Sequence, residues 1–593
     1  MRGTDLSHPG ISFPRSEADI SLSDSDSLLT VLVSLLTLTT FLALFVFRSL
    51  DDNRLTSWQW VFAGSDVLNI LIVLSLGILL AHILSSISLP VRKPAIWLFI
   101  TSFSVSVIFW GEPEVIVDAS RYFVQAKYLE LYGIGYFFKE WGNDITVWTD
   151  LPLVPLLYGL VFKFFGEYRT GIQIFNTILF SGTVVLTYMT GKVLWDETVG
   201  IYGGILLLGM PYLFTQVPLM LVDVPAMFFF TLALFTTIKA ARQGGAALLI
   251  LASLTIVLAM LSKYSVWLML SVIPVIFLSH IAHGRKVILQ RVAVISLGVA
   301  LLVGIVMLWN FNIFAEQLKF LQSYQVPGLK RWGESFTSTF FFQIHPYITL
   351  AALFSIYAAI KKKDSKYAII SWLLLLVVVL EIKRARYLIV VLPMLALMAS
   401  YGISEIRNVR ISKFIVLSAV VSGLVIAVFG YLPFLQKTSA ANLSQAGKYF
   451  DSIDAETIEV VALPQLSSIV NPAVSVPVLD LLTQKRLVYR YDEDLIQRPG
   501  SVEKSSLRFT WEYKDPEFFL ADAGSSTGVS EKYTPLAIIF SDRRQIIPAR
   551  IAERIEGYRM TRELMVFDRV FKYQTMIRVY QPTQAANSND PLV

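Results

Sequence analysis

The chain has 593 residues, of which 55% are hydrophobic, 13% aromatic and only 16% charged, with a formal net charge of +6. Soluble globular proteins carry about 25% charged residues, so this composition excludes an ordinary soluble fold and predicts a polytopic membrane protein. The absence of cysteine excludes disulfides, thiolate metal sites and cysteine nucleophiles, and so small a charge excess calls for no nucleic-acid partner, since membrane proteins gather Lys and Arg on cytoplasmic loops.

In chain order, residues 1–27 form a polar N-terminal segment without the basic start and cleavage site of a signal peptide. Apolar runs long enough to cross a bilayer follow near 28–47, 67–89, 94–110, 170–190, 199–216, 222–240, 246–262, 265–281, 292–310, 346–360, 367–382, 387–404 and 412–434. A shorter run, LPLVPLLYGLVFKFF at 151–165, contains Pro152, Pro155 and Lys163 and is expected to be an incomplete or partly interfacial helix. Basic turns at Arg92–Lys93, Lys239 with Arg242, Arg285–Lys286, KKKDSK (361–366) and Arg407, Arg410 and Lys413 mark the cytoplasmic side. That leaves 111–150, the neighbourhood of 217–223, 311–345 and everything after about 435 on the extracytoplasmic side.

Beyond 435 the pattern changes. IEVVAL (458–463), RLVYRY (486–491), PLAIIF (535–540) and MIRVYQ (576–581) read as strands between polar turns, with IPARIAERIEGY as a helix. The expectation is an α-helical polytopic membrane protein of about 13 transmembrane helices over 28–435. A C-terminal soluble α/β domain then covers 436–582, and a disordered tail 583–593. The sequon Asn442-Leu443-Ser444 in that domain is a possible glycosylation acceptor, on a three-residue match only.

The stretch GEPEVIVDASRYFVQAKYLELYGIGYF (111–137) is too polar to span a bilayer. Ala119, Tyr122, Phe123, Ala126 and Leu129 recur at near-helical spacing, which predicts an amphipathic helix lying flat in the interface, aromatic face down. Asp118 heads it, as a plain N-cap or as a functional carboxylate. Arg121, three residues on, would keep that carboxylate ionised, and Lys127 is expected to face lipid headgroups. Asp223, in FTQVPLMLVDVPAMFFF, is a second carboxylate beside membrane sequence. Such a charge is a functional candidate, and the plainer reading is a loop aspartate before a proline turn. Cations at KRARYLIVVLP (383–393) need an anionic partner: Glu381, lipid headgroups, or a phosphate gripped by the arginine fork. Lys263 is a further candidate cation or a snorkelling lysine. Glu112-Pro113-Glu114 reads as a solvated loop, although Glu112, Glu114, Asp118 and Asp223 are the carboxylates available to a divalent ion.

These elements, in this order, resemble the GT-C glycosyltransferases, most closely the protein mannosyltransferase and aminoarabinose transferase group. An Asp heads a helix in the first large loop (DASRYFVQAKYLELYG). A Pro-Pro-Leu-Tyr type helix ending in Phe-Gly follows (LPLVPLLYGLVFKFFG, 151–166), then an Asp before an apolar run (LMLVDVPAMFFF) and an Arg-Tyr-Leu helix (ARYLIVVLPMLAL, 385–397). The resemblance covers about 95–435. Ala119 replaces the second acid of the family's frequent acidic pair, Leu151-Pro152-Leu153 replaces His-Pro-Pro, and the two N-terminal spans are additional. The resemblance implies a polyprenyl-phosphate sugar donor and a protein, lipid or glycan acceptor met at the membrane lipid surface; some relatives of the fold use a divalent metal, and here no cofactor is expected to be required. It implies Asp118 as general base, Arg386 with Lys263 or Arg384 as phosphate clamp, Asp223 as an orienting group, and Arg121, Tyr122 and Tyr387 about the substrate. A transporter or flippase of lipid-linked sugars is the main rival, with a non-catalytic partner of a glycosylation complex third. The chain shows no repeated halves of the kind common in carriers.

Overall fold

The computed structural model describes residues 24–87, 93–325, 333–463, 470–489, 500–502, 510–511, 534–571 and 573–583. Most of the polar segment 1–27, Arg92, the end of RLVYRY, part of the loop 311–345 and the tail after 583 lie outside the described residues.

The main helices are α1 (Asp24–Val46), α2 (Val67–Ser86), α3 (Pro94–Val107), α4 (Ile116–Glu140), α5 (Leu153–Phe165), α6 (Arg169–Leu194), α7 (Glu197–Leu207), α8 (Asp223–Gln243) and α9 (Ala246–Ser262). They continue with α10 (Arg285–Phe320), α11 (Pro346–Lys362), α12 (Tyr367–Val379), α13 (Leu392–Ser404) and α14 (Val409–Ile426). Among the described residues, eight helical stretches are long and apolar enough to cross a membrane, and the chain is an integral membrane protein. Several helices begin on polar caps: Asp66 accepts from Leu68 and Asn69, Asp196 from Val199 and Asn408 from Ile411. The bundle packs tightly where small residues meet. A methyl group on Gly191 of α6 would stand 2.8 Å from the Gly200 Cα of α7, the close backbone approach that membrane helix pairs favour.

α10 is different, being exposed along almost its whole length as a lipid-facing helix would be. Its path breaks at Asn310, where the expected span ends, but residues 311–320 continue as helix rather than loop. α5 has 13 residues, about 20 Å at 1.5 Å per residue, too short to span a hydrocarbon core of about 30 Å.

The C-terminal unit holds a five-stranded sheet, β1 (Thr457–Ala462), β2 (Arg486–Tyr489), β3 (Leu536–Phe540), β4 (Tyr558–Leu564) and β5 (Met576–Pro582), in the order β2-β1-β3-β5-β4. β1 runs parallel to β2 and β3, and β5 antiparallel to β3 and β4. Four strands match the expected ones. The helix expected over 547–558 shrinks to Ala549–Arg554, and β4 follows it. β4 carries exposed Arg559 and Arg562 at the sheet edge, so charges that discourage edge pairing also mask its strand pattern. Asn442 is fully buried, donating to the Val566 and Thr575 carbonyls and accepting from the Val566 amide, so the folded chain does not present that sequon.

The apolar face of α4 is not left free for lipid as expected. Ile116, Ala119, Tyr122, Phe123 and Ala126 share one apolar core with Val154, Tyr158 and Phe162 of α5 and with Val476, Leu479 and Leu481 of the C-terminal unit, and these together cover the face assigned to lipid. Lys127 likewise is buried and not at headgroups, pairing with Asp480 and, at 3.4 Å, with Glu167.

Candidate active site

Asp118 is the third residue of α4, whose cap is Val115, so it is not an N-cap; it sits in the first turn, where a carboxylate is still favoured. Asp223 opens α8 and is fully buried. Lys263 adopts an extended backbone at the break between α9 and the short helix Tyr264–Met269. Arg386 lies on the short helix Ala385–Leu388, just before α13.

These four residues, from four separate elements, meet. Arg386 donates from Nη1 to Asp118 Oδ2 at 2.5 Å and from Nε to Asp223 Oδ2 at 3.0 Å. Lys263 Nζ reaches Asp223 Oδ1 at 2.5 Å. One guanidinium thus holds both carboxylates, and a second cation closes the far side. The Asp118 side chain keeps 25% of its surface open, whereas that of Asp223 keeps none. Of the two carboxylates, Asp118 is the one open to the outside. Burial alone would raise the Asp118 carboxyl, but Arg386, and then Arg121, outweigh it and hold the group well below the usual carboxylate range.

The remaining expected residues form the surround. Arg121 lies 3.8 Å from Asp118 Oδ1 but 2.9 Å from Asp150 Oδ2, so its main partner is Asp150. It also donates to the Tyr122 hydroxyl at 3.0 Å. Burial pushes the Tyr122 phenol up, so it stays protonated. Arg384 donates to the Tyr387 hydroxyl at 3.3 Å, and Lys263 Nζ stands 5.7 Å from the Tyr387 ring centroid.

Several residues that sequence reading missed build this geometry. Asp150 also accepts from Gln125 at 3.0 Å, and Gln125 bonds the Thr146 carbonyl. The strand of backbone leading to Asp223 is gripped at three points. Met220 N–H donates to Glu114 Oε2 at 3.0 Å, Asn176 donates to the Leu219 carbonyl at 2.7 Å, and Tyr158 donates to the Leu221 carbonyl at 2.7 Å. Tyr158 belongs to α5, which gives that short helix a role: it fixes the approach to Asp223. Glu112 and Glu114 are not solvated. Both are buried, Glu114 paired with Arg169 Nε at 2.8 Å and Glu112 lending its carbonyl to the same arginine. Glu114 is thereby occupied, while Asp118 and Asp223 face a guanidinium. Among the described residues no group of three or more His, Cys, Asp or Glu is arranged to hold a metal ion.

Residues 150–309 match the family model of the dolichyl-phosphate-mannose-protein mannosyltransferases. The matched stretch is less than half of the chain; it includes Asp150, Tyr158, Asp223 and Lys263 and excludes Asp118 and Arg386. It bears out the resemblance to the protein mannosyltransferase group of membrane glycosyltransferases. No curated protein matches the chain. Among solved structures, ArnT from Cupriavidus metallidurans bound to undecaprenyl phosphate is similar at 12% identity, over 82% of this chain and 97% of that one, with a TM-score of 0.49. The Archaeoglobus fulgidus oligosaccharyltransferase AglB, in complex with an inhibitory peptide and a dolichol-phosphate, is similar at 12% identity over 66% of this chain and 64% of that one, with a TM-score of 0.42.

Proposed function

We propose that the protein transfers a sugar from a polyprenyl-phosphate donor to an acceptor hydroxyl or similar nucleophile on the extracytoplasmic side of the membrane, with inversion at the anomeric carbon. The acceptor oxygen forms the new bond to that carbon as the bond to the phosphate oxygen breaks. The electron pair leaves with polyprenyl phosphate, and the acceptor's proton passes to Asp118. Phosphate is already a good leaving group, so one carboxylate base and a cationic cradle suffice, without the second carboxylate of a glycoside hydrolase.

The observation that carries this reading is the sharing of Arg386 between Asp118 and Asp223. A carboxylate held as low as Asp118 is a weak base. A donor phosphate has the charge and geometry to compete for the guanidinium fork. By drawing Arg386 away from Asp118 it would raise that carboxylate's basicity as the substrate arrives. Asp223, fully buried and tied to Lys263 and Arg386, keeps the two cations aimed, with Arg384 and Tyr387 beside them. Arg121, bonded to Tyr122, stands beside Asp118 and helps keep it ionised, and Tyr122 is placed to meet the sugar or the lipid phosphate. The test is donor turnover by the purified protein in nanodiscs with a panel of polyprenyl-phosphate sugars and plausible acceptors. Release of polyprenyl phosphate that depends on acceptor supports the reading. If no donor is consumed while lipid-linked sugar crosses proteoliposomes, the reading is wrong and the protein is a carrier.

A further inference from the structure

The loop between α1 and α2 is bound far more tightly than a connection between two membrane helices requires. Asp51, 1% exposed, accepts four hydrogen bonds: from Asn53 N at 3.2 Å, Trp58 N at 2.7 Å, Ser338 Oγ at 2.5 Å and Gln343 Nε2 at 2.8 Å. The last two come from a π-helical turn, Ser338–Ile344, a geometry that recurs at functional sites. Next to it, Asp52 accepts from the Ser335 amide at 2.9 Å and its hydroxyl at 3.2 Å. Thr56 and Tyr431 both donate to Gln343 Oε1, and Trp58 Nε1 donates to the Phe342 carbonyl. The loop 51–58 therefore clasps residues 335–343, through exposed bonds at Asp52 and through buried, mutually satisfied polar groups at Asp51, Thr56 and Trp58.

The other side of the clasped segment faces the candidate site. Glu334, 5% exposed, accepts from the Ala385 amide at 3.3 Å and lies 4.0 Å from Arg384 Nε. Thr339 donates to the Lys383 carbonyl. Lys383, Arg384 and Ala385 lead directly into Arg386. A partly satisfied buried network would be worse than an apolar one, so a network this complete fixes one backbone arrangement for both segments.

We propose that Asp51 is a positioning residue for the site: through Ser338 and Gln343 it locks residues 334–344, and these set Arg384 and the start of the helix that carries Arg386. The additional N-terminal helix pair is then part of the transfer machinery, and its function is to brace the phosphate clamp from behind. The proposal leans on the transfer reading only for its kinetic consequence.

The experiment compares full-length wild type, Asp51→Asn and Asp66→Ala in nanodiscs. Asp66 caps α2 in the same hairpin, and among the described residues its side chain bonds Leu68 and Asn69, both on α2 itself, so its loss controls for general loosening of the hairpin. Hydrogen exchange of the peptide spanning 383–391 is the first readout and is independent of any activity. Positioning predicts faster exchange there in Asp51→Asn and not in Asp66→Ala; exchange at 383–391 unchanged from wild type in Asp51→Asn overturns it. Where the wild type turns over donor, Asp51→Asn should lower kcat about 10- to 100-fold, as expected for a small misplacement of binding groups. Adding Glu334→Gln to Asp51→Asn should cost little more, because both act through the same segment. Losses that multiply, or wild-type kcat in folded Asp51→Asn, contradict the link. A wild type that consumes no donor overturns the transfer reading, while the exchange result still decides the positioning claim.

Discussion

Two ion-pair clusters built from the same residue types lie at the two ends of α4's buried half, and they behave oppositely. At Asp118 and Asp223, two cations, Arg386 and Lys263, match two carboxylates, and Asp118 is held low and left partly open to solvent. At Lys127, one ammonium stands between Glu167 and Asp480. There burial, followed by the charge of Asp480, pushes the Glu167 carboxyl well above its ordinary range. The first cluster is balanced, but its guanidinium is shared between two carboxylates and partly open, so an incoming anion can compete for it. The second has no cation to spare, and it seals the seam between the membrane-side helix and the C-terminal unit. Buried carboxylates mark a site only when their cations are shared and reachable; otherwise they mark a joint.

The sharpest way to break this distinction is Arg386→Ala. It should lower transfer by about 10²- to 10³-fold, the scale of losing one electrostatic stabiliser of a developing anion, measured as kcat under saturating donor. Arg386→Lys should recover only part, since an ammonium cannot hold both carboxylates with a planar fork. Lys127→Met is the counterpart at the joint. Leaving buried carboxylates without their cation costs about 3–5 kcal/mol, so thermal stability should fall while the specific activity of folded protein is kept. Without Lys127 the acids escape the penalty only by taking up protons, so this loss should be larger at pH 8 than at pH 5. If Lys127→Met instead lowers kcat at unchanged stability, the joint and the site have been assigned the wrong way round.

Lys263→Ala should act more mildly, about tenfold on donor kcat/KM, because Arg386 still neutralises Asp223. The smallest effect concerns Glu334, whose carboxyl burial pushes up to about 7 against the pull of Arg384. The folded chain therefore binds this proton more tightly than the unfolded chain between its ordinary value and about 7. The contribution to stability is full at low pH and declines as pH rises through that window. Glu334→Gln should flatten this decline in a series of melting curves from pH 5 to pH 8; an unchanged slope would show that the proton is not taken up there.

Much of this organisation is legible in the sequence because hydrophobic length is a local signal. Runs such as 67–89 and 170–190 announce membrane helices, and alternation in PLAIIF announces a strand. Asp118, Asp223, Lys263 and Arg386 stand out because a charge beside membrane sequence is costly, and the structure brings all four together. What one-dimensional reading misses is partnership. Lys127 reads as a headgroup contact because Asp480 lies 353 residues away. The aromatic face of α4 reads as membrane-bound because part of the surface that covers it is encoded after residue 470, and the rest comes from α5, itself read as membrane-associated. Glu114, Tyr158 and Asn176 look like solvated or apolar-helix residues until the backbone at 219–221 passes within reach. β4 is hidden by its edge arginines.

The role of Asp118 as base is tested most directly by a paired measurement on Asp118→Asn in nanodiscs, polyprenyl-phosphate affinity beside single-turnover transfer. Transfer should be lost by about 10²- to 10⁴-fold, the contribution of a general base, while the lipid phosphate binds as well as to wild type or more tightly, because Asp118 no longer holds Arg386. Transfer at the wild-type rate, or loss of lipid-phosphate binding in a folded variant, would contradict it.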